Sequence, residues 1–108
     1  MFWKIGKVVF QRQKYYENAV LKYSDFFSYY YGMSDTFSVN NIHYMKKFYS
    51  CFPIYIEELN ELTFEHYKLL VNIYDVNVRY FYFRVALFCR SSVEELKGII
   101  LNDVYNYI

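Results

Sequence analysis

YYYGMSDTFSVNNIHYMKKFYSCFP, residues 29–53, is the stretch that decides the fold, because it carries the signals of two helices joined by a tight turn. Gly32 follows an apolar run with helical spacing and can adopt the left-handed conformation that commonly closes a helix. Residues 34–38 form a polar turn in which Ser38 can cap the next helix, and Pro53 ends that helix because it has no N–H to donate. The stretch predicts a helix-turn-helix unit.

The second helix of this unit, about residues 38–50, is predicted to have one apolar and one polar face. Ile42, Met45, Phe48 and Tyr49 recur at spacings of three and four and should face the core. Polar side chains occupy the rest of the helix surface: Asn40, Asn41, His43, Lys46 and Lys47. This pattern is typical of a recognition helix.

Helical spacing of apolar residues extends through the rest of the chain. The sequence predicts an N-terminal helix with a break around residues 14–18, and a helix before the turn that begins at an Asn18 cap. Later helices are expected over residues 64–74 and 76–90, with caps at Thr63 and Asp75. Ser91 and Ser92 each stand three residues before a glutamate, the spacing of a capping box that starts the last helix. Since no strand-length segment alternates in hydrophobicity, we predict an all-α fold, a compact bundle of about five to seven helices.

Length and composition favour one cytoplasmic domain. A chain of 108 residues has the size of a single domain, residues 1–108, and can bury about two thirds of its unfolded surface. The hydrophobic fraction of 56% excludes a disordered chain. The most apolar run, residues 80–89, contains Arg84 and is half the length of about 20 residues that a membrane-spanning helix needs. With no signal peptide recognised, we predict a cytoplasmic protein without membrane association.

The cysteines and histidines form neither a metal-binding nor a catalytic pattern. None of His43, Cys51, His66 and Cys89 belongs to a C-x-x-C or H-x-x-x-H pair. We therefore expect no metal, no cofactor, and two reduced, buried thiols. His66 has no nucleophile or carboxylate arrangement to orient it, so we expect a protein without catalytic activity or a small-molecule substrate.

Charge is distributed unevenly along the chain, although the net charge is only +1. Residues 1–50 hold seven Lys or Arg and three acids, a balance of +4, whereas residues 51–108 hold five and eight, a balance of −3. The basic half is the half with the helix-turn-helix pattern, as a nucleic-acid footprint would require. A split of this size can also arise by chance in a short chain.

Five short motifs follow one another along nearly the whole chain. They are W-x-I-G at residues 3–6, G then F-S-x-x-N-I-x-x-M-K-x-F-Y-x-x-F-P between residues 32 and 53, L-T-F-E-H-Y-x-L-L at 62–70, R-x-F-Y at 79–82, and S-V-x-x-L-x-x-x-I at 92–100. In these motifs the chain resembles the N-terminal domain of the YhcG-like family. Proteins of that family join such a helical domain, with an expected role in DNA binding, to a C-terminal PD-(D/E)XK nuclease domain. The resemblance covers the helical domain alone, so it implies the recognition domain and not the enzyme. Phe64 and Ser91 depart from the family pattern, which typically has tryptophan at both positions.

The resemblance makes Ser38, Asn41 and Lys46 the positions of the second helix that match polar family positions. Independently, an asparagine can make two hydrogen bonds to adenine, and a lysine can reach guanine or a phosphate. If the helix enters a major groove, further candidate contacts are Asn40, Asn41, His43 and Lys47. The alternative is that Asn41 bonds within the protein and that the two lysines form an ordinary solvated face.

Basic residues outside this helix could contact phosphates, which positions a protein on DNA without reading sequence. The candidates are Lys4, Lys7 and Arg12, together with Lys14 and Lys22. Exposed sides of helices explain these residues equally well.

Aromatic residues are more numerous than one small core requires, with 15 Tyr and 11 Phe, so some must be exposed. Phe26, Tyr29 and Tyr30 are the candidate interaction surface within an aromatic cluster on the helix before the turn. A protein interface is the first interpretation, compositional bias the second, and stacking on single-stranded bases the third. We also expect a homodimer, because helix-turn-helix proteins commonly bind paired half-sites as dimers.

Two function classes follow. The first is a non-catalytic DNA-binding module whose affinity falls steeply with salt. The second is a protein-interaction module that uses its aromatic surface to form a homo-oligomer or to bind a nuclease or another defence-system component. The near-neutral net charge favours the second class, whereas the charge asymmetry and the helix-turn-helix pattern favour the first.

Overall fold

The computed structural model describes residues 2–13, 18–32 and 35–107. It contains six α-helices: α1 (Phe2–Arg12), α2 (Ala19–Tyr31), α3 (Val39–Cys51), α4 (Phe64–Leu70), α5 (Val76–Cys89) and α6 (Val93–Leu101). Two short 3-10 helices cover Glu57–Glu61 and Val104–Tyr107. Because the described residues contain helices and no strand, the prediction of an all-α fold with five to seven helices is confirmed.

The chain divides into two compact units, residues 1–53 with α1 to α3 and residues 54–108 with α4 to α6. The charge balances of residues 1–50 and 51–108 also apply to these two units, because residues 51–53 carry no charge. The first unit therefore carries the balance of +4 and the second the balance of −3. The single domain expected over residues 1–108 stays a prediction.

The ends of α2 and α3 lie where the sequence signals predict them. Gly32 closes α2 with a φ of 62°, and its N–H donates to Ser28 O at 2.9 Å. Ser38 caps α3 by accepting a hydrogen bond from the backbone N–H of Asn41 at 3.2 Å. The helix ends at Cys51, one residue before the Phe52–Pro53 pair. The described residues do not include residue 33, residue 34 of the predicted turn, or residues 14–17 of the predicted break.

The core of the first unit forms around the apolar face of α3. Ile42, Met45 and Phe48 are buried as predicted, whereas Tyr49 is only half-buried. The Tyr49 ring lies between two rings of α1, with centroid distances of 5.3 Å to both Trp3 and Phe10. The indole Nε1–H of Trp3 donates to Phe52 O at 2.7 Å and fixes the start of α1 at the end of α3.

Gly6 allows α1 and α3 to cross with their backbones in contact. A Cβ atom at Gly6 would collide with the carbonyl oxygen of Met45 and would lie 2.5 Å from its carbonyl carbon. Contacts below 3.0 Å essentially never occur for real Cβ atoms, so no other residue fits at this crossing without displacing a helix. This close approach explains why glycine occupies an interior helix position, where it is otherwise destabilising.

The helices of the second unit begin at side-chain caps. Thr63 caps α4 and forms a reciprocal capping box with His66, and Ser92 forms the same arrangement with Glu95 at the start of α6. Asp75 caps α5 by accepting hydrogen bonds from two backbone N–H groups. Of the two serines proposed to start α6, only Ser92 is the cap, because Ser91 is buried with its carbonyl oxygen directed at His66.

One predicted helix in this fold is too long, and two further helix ends differ from the prediction in detail. The helix predicted over residues 64–74 ends at Leu70, because the Asn72 side chain takes the Lys68 carbonyl that the Asn72 backbone N–H would otherwise use. Asn18 stands before α2 as predicted, but its side chain makes no capping hydrogen bond. The helix predicted over residues 76–90 ends one residue earlier, with Arg90 in a left-handed conformation at a φ of 51°.

Candidate nucleic-acid interface

The solvent-exposed side of α3 is a polar stripe opposite the buried face. Asn40, His43 and Lys47 are all exposed, and their spacing of three and four residues places them on one side of the helix. Their side chains form no hydrogen bond or ion pair with any other residue that the structure describes. Since α3 contains no carboxylate, nothing on this helix opposes the approach of a phosphate backbone. We refer to these three residues as the α3 stripe.

Ser38 and Asn41 are committed to the local structure that starts α3. The Ser38 hydroxyl is the helix cap, and the Asn41 amide donates to Asp35 O at 2.8 Å and to Thr36 O at 3.3 Å. Asn41 thereby donates to two backbone carbonyls of the segment before α3 and holds that segment against the start of the helix. A base contact by Asn41 would require these two hydrogen bonds to break.

Lys46 also differs from the α3 stripe, because it is half-buried and already bonded. Its Nζ donates to Gln13 Oε1 at 2.7 Å, so that it links α3 to the residue that follows α1. Lys47 points to the exposed side instead. The adjacent lysines therefore occupy different environments, which the repeat of two lysines in the sequence does not indicate.

The candidate phosphate contacts on α1 are exposed. Lys4, Lys7 and Arg12 all lie at the surface of α1, and the Lys7 Nζ stands 5.6 Å from the centroid of the Trp3 ring. Lys22 is exposed on α2, and Lys14 lies outside the described residues. The packing of α1 against α3 keeps the three α1 side chains in the same unit as the α3 stripe.

A second surface feature of this unit is a set of exposed rings on α2, which we call the α2 aromatic face: Phe26, Tyr29 and Tyr30. Their relative exposures are 49%, 85% and 67%, respectively. Tyr30 contacts both neighbours, with centroid distances of 4.6 Å to Phe26 and 5.6 Å to Tyr29. The rings therefore form one continuous apolar surface and not three isolated side chains.

The apolar face of α2 differs from the one that its aromatic residues indicate. The helix buries Ala19, Val20 and Ser24, whereas Tyr30 and Tyr31, which spacings of three and four from Val20 predict on the same apolar stripe, are exposed. Ser24 is buried because its hydroxyl donates to Phe37 O at 2.6 Å, which holds the turn close to this part of α2. The end of α2 extends past this contact, and its rings remain at the surface.

His66 in the second unit has a structural role. Its Nδ1 accepts a hydrogen bond from the Thr63 N–H at 3.1 Å, so Nε2 carries the proton and donates to Ser91 O at 2.9 Å. The ring is buried and joins the start of α4 to the end of α5. Nearby, Tyr67 donates its hydroxyl to Leu59 O at 2.6 Å, and burial, followed by the charge of Glu61, raises its pKa above the usual range.

Neither a metal centre nor a membrane span emerges from the described part of the chain. Within it, no three His, Cys, Asp or Glu side chains come together in a way that could hold a metal ion. None of the helices formed by residues 2–13, 18–32 and 35–107 has the length and apolar character to cross a bilayer. Both cysteines are free thiols, but the prediction that both are buried is wrong, since Cys51 is half-buried and Cys89 lies exposed at the end of α5.

Comparison with known proteins identifies the family to which this chain belongs. The sequence matches the family described as the DUF1016 N-terminal domain over residues 1–107. The chain therefore belongs to the DUF1016 N-terminal domain family. No curated protein and no solved structure matches it.

Proposed function

We propose that this DUF1016 N-terminal domain is a non-catalytic, cytoplasmic DNA-binding module of the YhcG-like type, and that the α3 stripe enters the major groove. The observation that carries the proposal is the division of α3 into a buried apolar side and an exposed, acid-free polar side. A helix held on one face by its core and capped at its start presents its other face rigidly, as base recognition requires.

The charge of the first unit supports this proposal. Residues 1–53 carry a net charge of +4, and Lys4, Lys7 and Arg12 are exposed on α1. Lysine and arginine side chains release counterions when they neutralise phosphates, and this release supplies most non-specific affinity for DNA. The α1 residues therefore take the positioning role, and the α3 stripe takes the reading role.

The residues of the α3 stripe have chemistry suited to base edges. The amide of Asn40 can accept and donate simultaneously, as a bidentate contact to adenine requires. Lys47 can donate to guanine or to a phosphate, and the exposed His43 can donate or accept. In this proposal Ser38, Asn41 and Lys46 act indirectly, since their hydrogen bonds set the position of α3.

A protein-interaction module is the second candidate, favoured by the α2 aromatic face and the near-neutral net charge of +1. Tyrosine and phenylalanine are enriched at protein interfaces, and a contiguous exposed apolar surface often has a binding role. In this alternative, α2 binds a protein partner such as a nuclease component, and α3 has no ligand.

Fluorescence anisotropy with labelled duplex DNA of random sequence separates the two candidates. We expect wild-type binding to weaken as salt rises. On DNA of random sequence Lys47 has no preferred base to read and should contact a phosphate, so Lys47→Ala should reduce the slope of log K against log salt by about 0.9. The matched control is Lys97→Ala, which removes another exposed lysine, from α6 in the second unit.

Equal losses for the two lysine variants would show that only overall charge matters and would contradict the role of α3. If the anisotropy of the labelled DNA does not rise when protein is added at low salt, DNA binding is rejected. The protein-interaction module then becomes the working hypothesis.

A further inference from the structure

A groove borders the α2 aromatic face one turn closer to the start of the helix. It has a volume of 310 Å³ and is lined by Ala19, Lys22, Tyr23 and Phe26. Lys22, Phe26 and Tyr30 recur every four residues, and Tyr29 follows Phe26 by three, so that these side chains lie on one side of α2. The same side of one helix therefore carries a projecting ring, Tyr30, and a groove, with Phe26 between them.

This arrangement is self-complementary. If two α2 helices pack antiparallel with Phe26 on a twofold axis, residue 30 of one copy lies opposite residue 22 of the other. Helical side chains lean towards the start of their own helix. The Tyr30 ring would consequently point at the space between residues 22 and 26 of the opposite helix, where the groove lies. The second Tyr30 would fill the first groove by symmetry, as an isologous contact requires.

We propose that the α2 aromatic face binds a second copy of this chain, through an antiparallel α2–α2 contact in which Tyr30 of each copy occupies the groove of the other. The partner in this contact is a second copy of the chain. DNA binding by α3 does not require the contact, and the contact can be tested without DNA.

The exposed area is sufficient for a weak dimer. With about 200 Å² for each aromatic ring, the relative exposures of 49%, 85% and 67% correspond to about 400 Å² on each copy. Two copies then bury about 800 Å² of ring surface, and the groove walls bring the total to about 1,000 Å², the lower limit for a specific interface. We therefore expect a dissociation constant in the micromolar range.

Sedimentation equilibrium of the full chain without DNA tests the dimer. We expect the weight-average mass to rise from 13.4 kDa towards twice that value as the concentration increases from about 5 to 500 µM. Tyr30→Ala should weaken dimerisation at least tenfold, because each dimer loses two central rings. Tyr74→Ala is the matched control, since it removes a tyrosine that is 98% exposed in the second unit, and it should leave the curve unchanged.

A second measurement locates the twofold axis. In a Cys89→Ser background, Phe26→Cys places a thiol opposite its own copy, and mild oxidation with copper phenanthroline should form a disulfide-linked dimer. Tyr74→Cys in the same background should remain mostly monomeric.

A wild-type chain that stays monomeric at every concentration would overturn the proposal, and so would equal cross-linking at residues 26 and 74. If the monomer instead binds an oligothymidine strand and Tyr30→Ala abolishes that binding, the face stacks on bases and the dimer is rejected. None of these outcomes depends on Lys47, so failure of the dimer and failure of the proposed DNA contact by α3 are separate results.

Discussion

Replacement of Gly6 by alanine should destabilise the first unit, although alanine is the better helix former. The new Cβ would collide with the Met45 carbonyl oxygen and lie 2.5 Å from its carbonyl carbon, whereas ordinary contacts begin at 3.4 Å, so α1 must move by at least about 1 Å. A gap of this size forfeits a quarter to a half of the contact energy of the side chains at the crossing. These side chains include Ile5, Val9 and Phe48, each worth about 2 kcal/mol when fully buried.

With Met45 included, four side chains at about 2 kcal/mol each lose a quarter to a half of their packing energy, about 2 to 4 kcal/mol in total. The higher helix propensity of alanine offsets about 1 kcal/mol of this loss. We therefore expect Gly6→Ala to lower the free energy of unfolding by about 2 kcal/mol. Gly98→Ala provides a control of opposite sign. Gly98 also lies inside a helix, but a Cβ there meets no atom within 4 Å, so this variant should gain about 0.5 to 1 kcal/mol.

Urea unfolding measures both effects. Trp3 is the only tryptophan in the chain and belongs to the first unit, so its fluorescence follows that unit, while far-UV circular dichroism follows all the helices. The urea concentration at the midpoint of the fluorescence transition should be lower for Gly6→Ala than for the wild type. If Gly6→Ala is as stabilising as Gly98→Ala, the close crossing of α1 and α3 is not required, and the packing of α3 described above is refuted.

Three further substitutions test individual hydrogen bonds. Trp3→Phe removes the donor to Phe52 O and should cost about 1 to 2 kcal/mol of stability, measured by circular dichroism; an unchanged midpoint would mean that the indole N–H contributes nothing. Asn41→Ala removes two bonds to the turn and should cost about 1 kcal/mol while leaving DNA affinity within threefold; a loss greater than tenfold would restore Asn41 as a base contact. Hydrogen bonds from the backbone N–H of Ser92, and to a lesser extent from its hydroxyl, hold the pKa of Glu95 below its usual value in the folded protein. The ionised carboxylate therefore stabilises the fold above about pH 4.3, and this stabilisation is lost as the pH falls through the pKa of Glu95 in the folded protein. The difference in urea midpoint between wild type and Glu95→Gln should accordingly shrink from pH 7 to pH 3, and a constant difference would contradict this origin of the stabilisation.

The features that the sequence predicts best are those determined within one helical turn. Gly32, Ser38 and Ser92 act on backbone groups three or four residues away, so residue type and spacing suffice to place the helix ends. Burial of the apolar side of α3 is equally predictable, because helical periodicity assigns its residues to one face.

Features that depend on partners distant in the sequence were not predictable in the same way. Lys46 and Lys47 are adjacent in the sequence, but only Lys46 has Gln13 within reach, 33 residues earlier in the chain. The need for glycine at position 6 becomes clear only when Met45 of α3 lies against it. The end of α2 is also exposed despite its aromatic residues. Hydrophobic composition alone does not show which part of a helix packs against other helices and which part lies in solvent.

In the proposed function, the α3 stripe is the part of the chain that meets DNA. Titration of the ¹⁵N-labelled protein with a duplex, followed by two-dimensional NMR, tests this claim most directly. We predict that the largest shift changes fall on Asn40, His43 and Lys47, with smaller changes at the exposed basic residues of α1. Changes concentrated on the α2 aromatic face or in the second unit, with the α3 stripe unaffected, would contradict the claim.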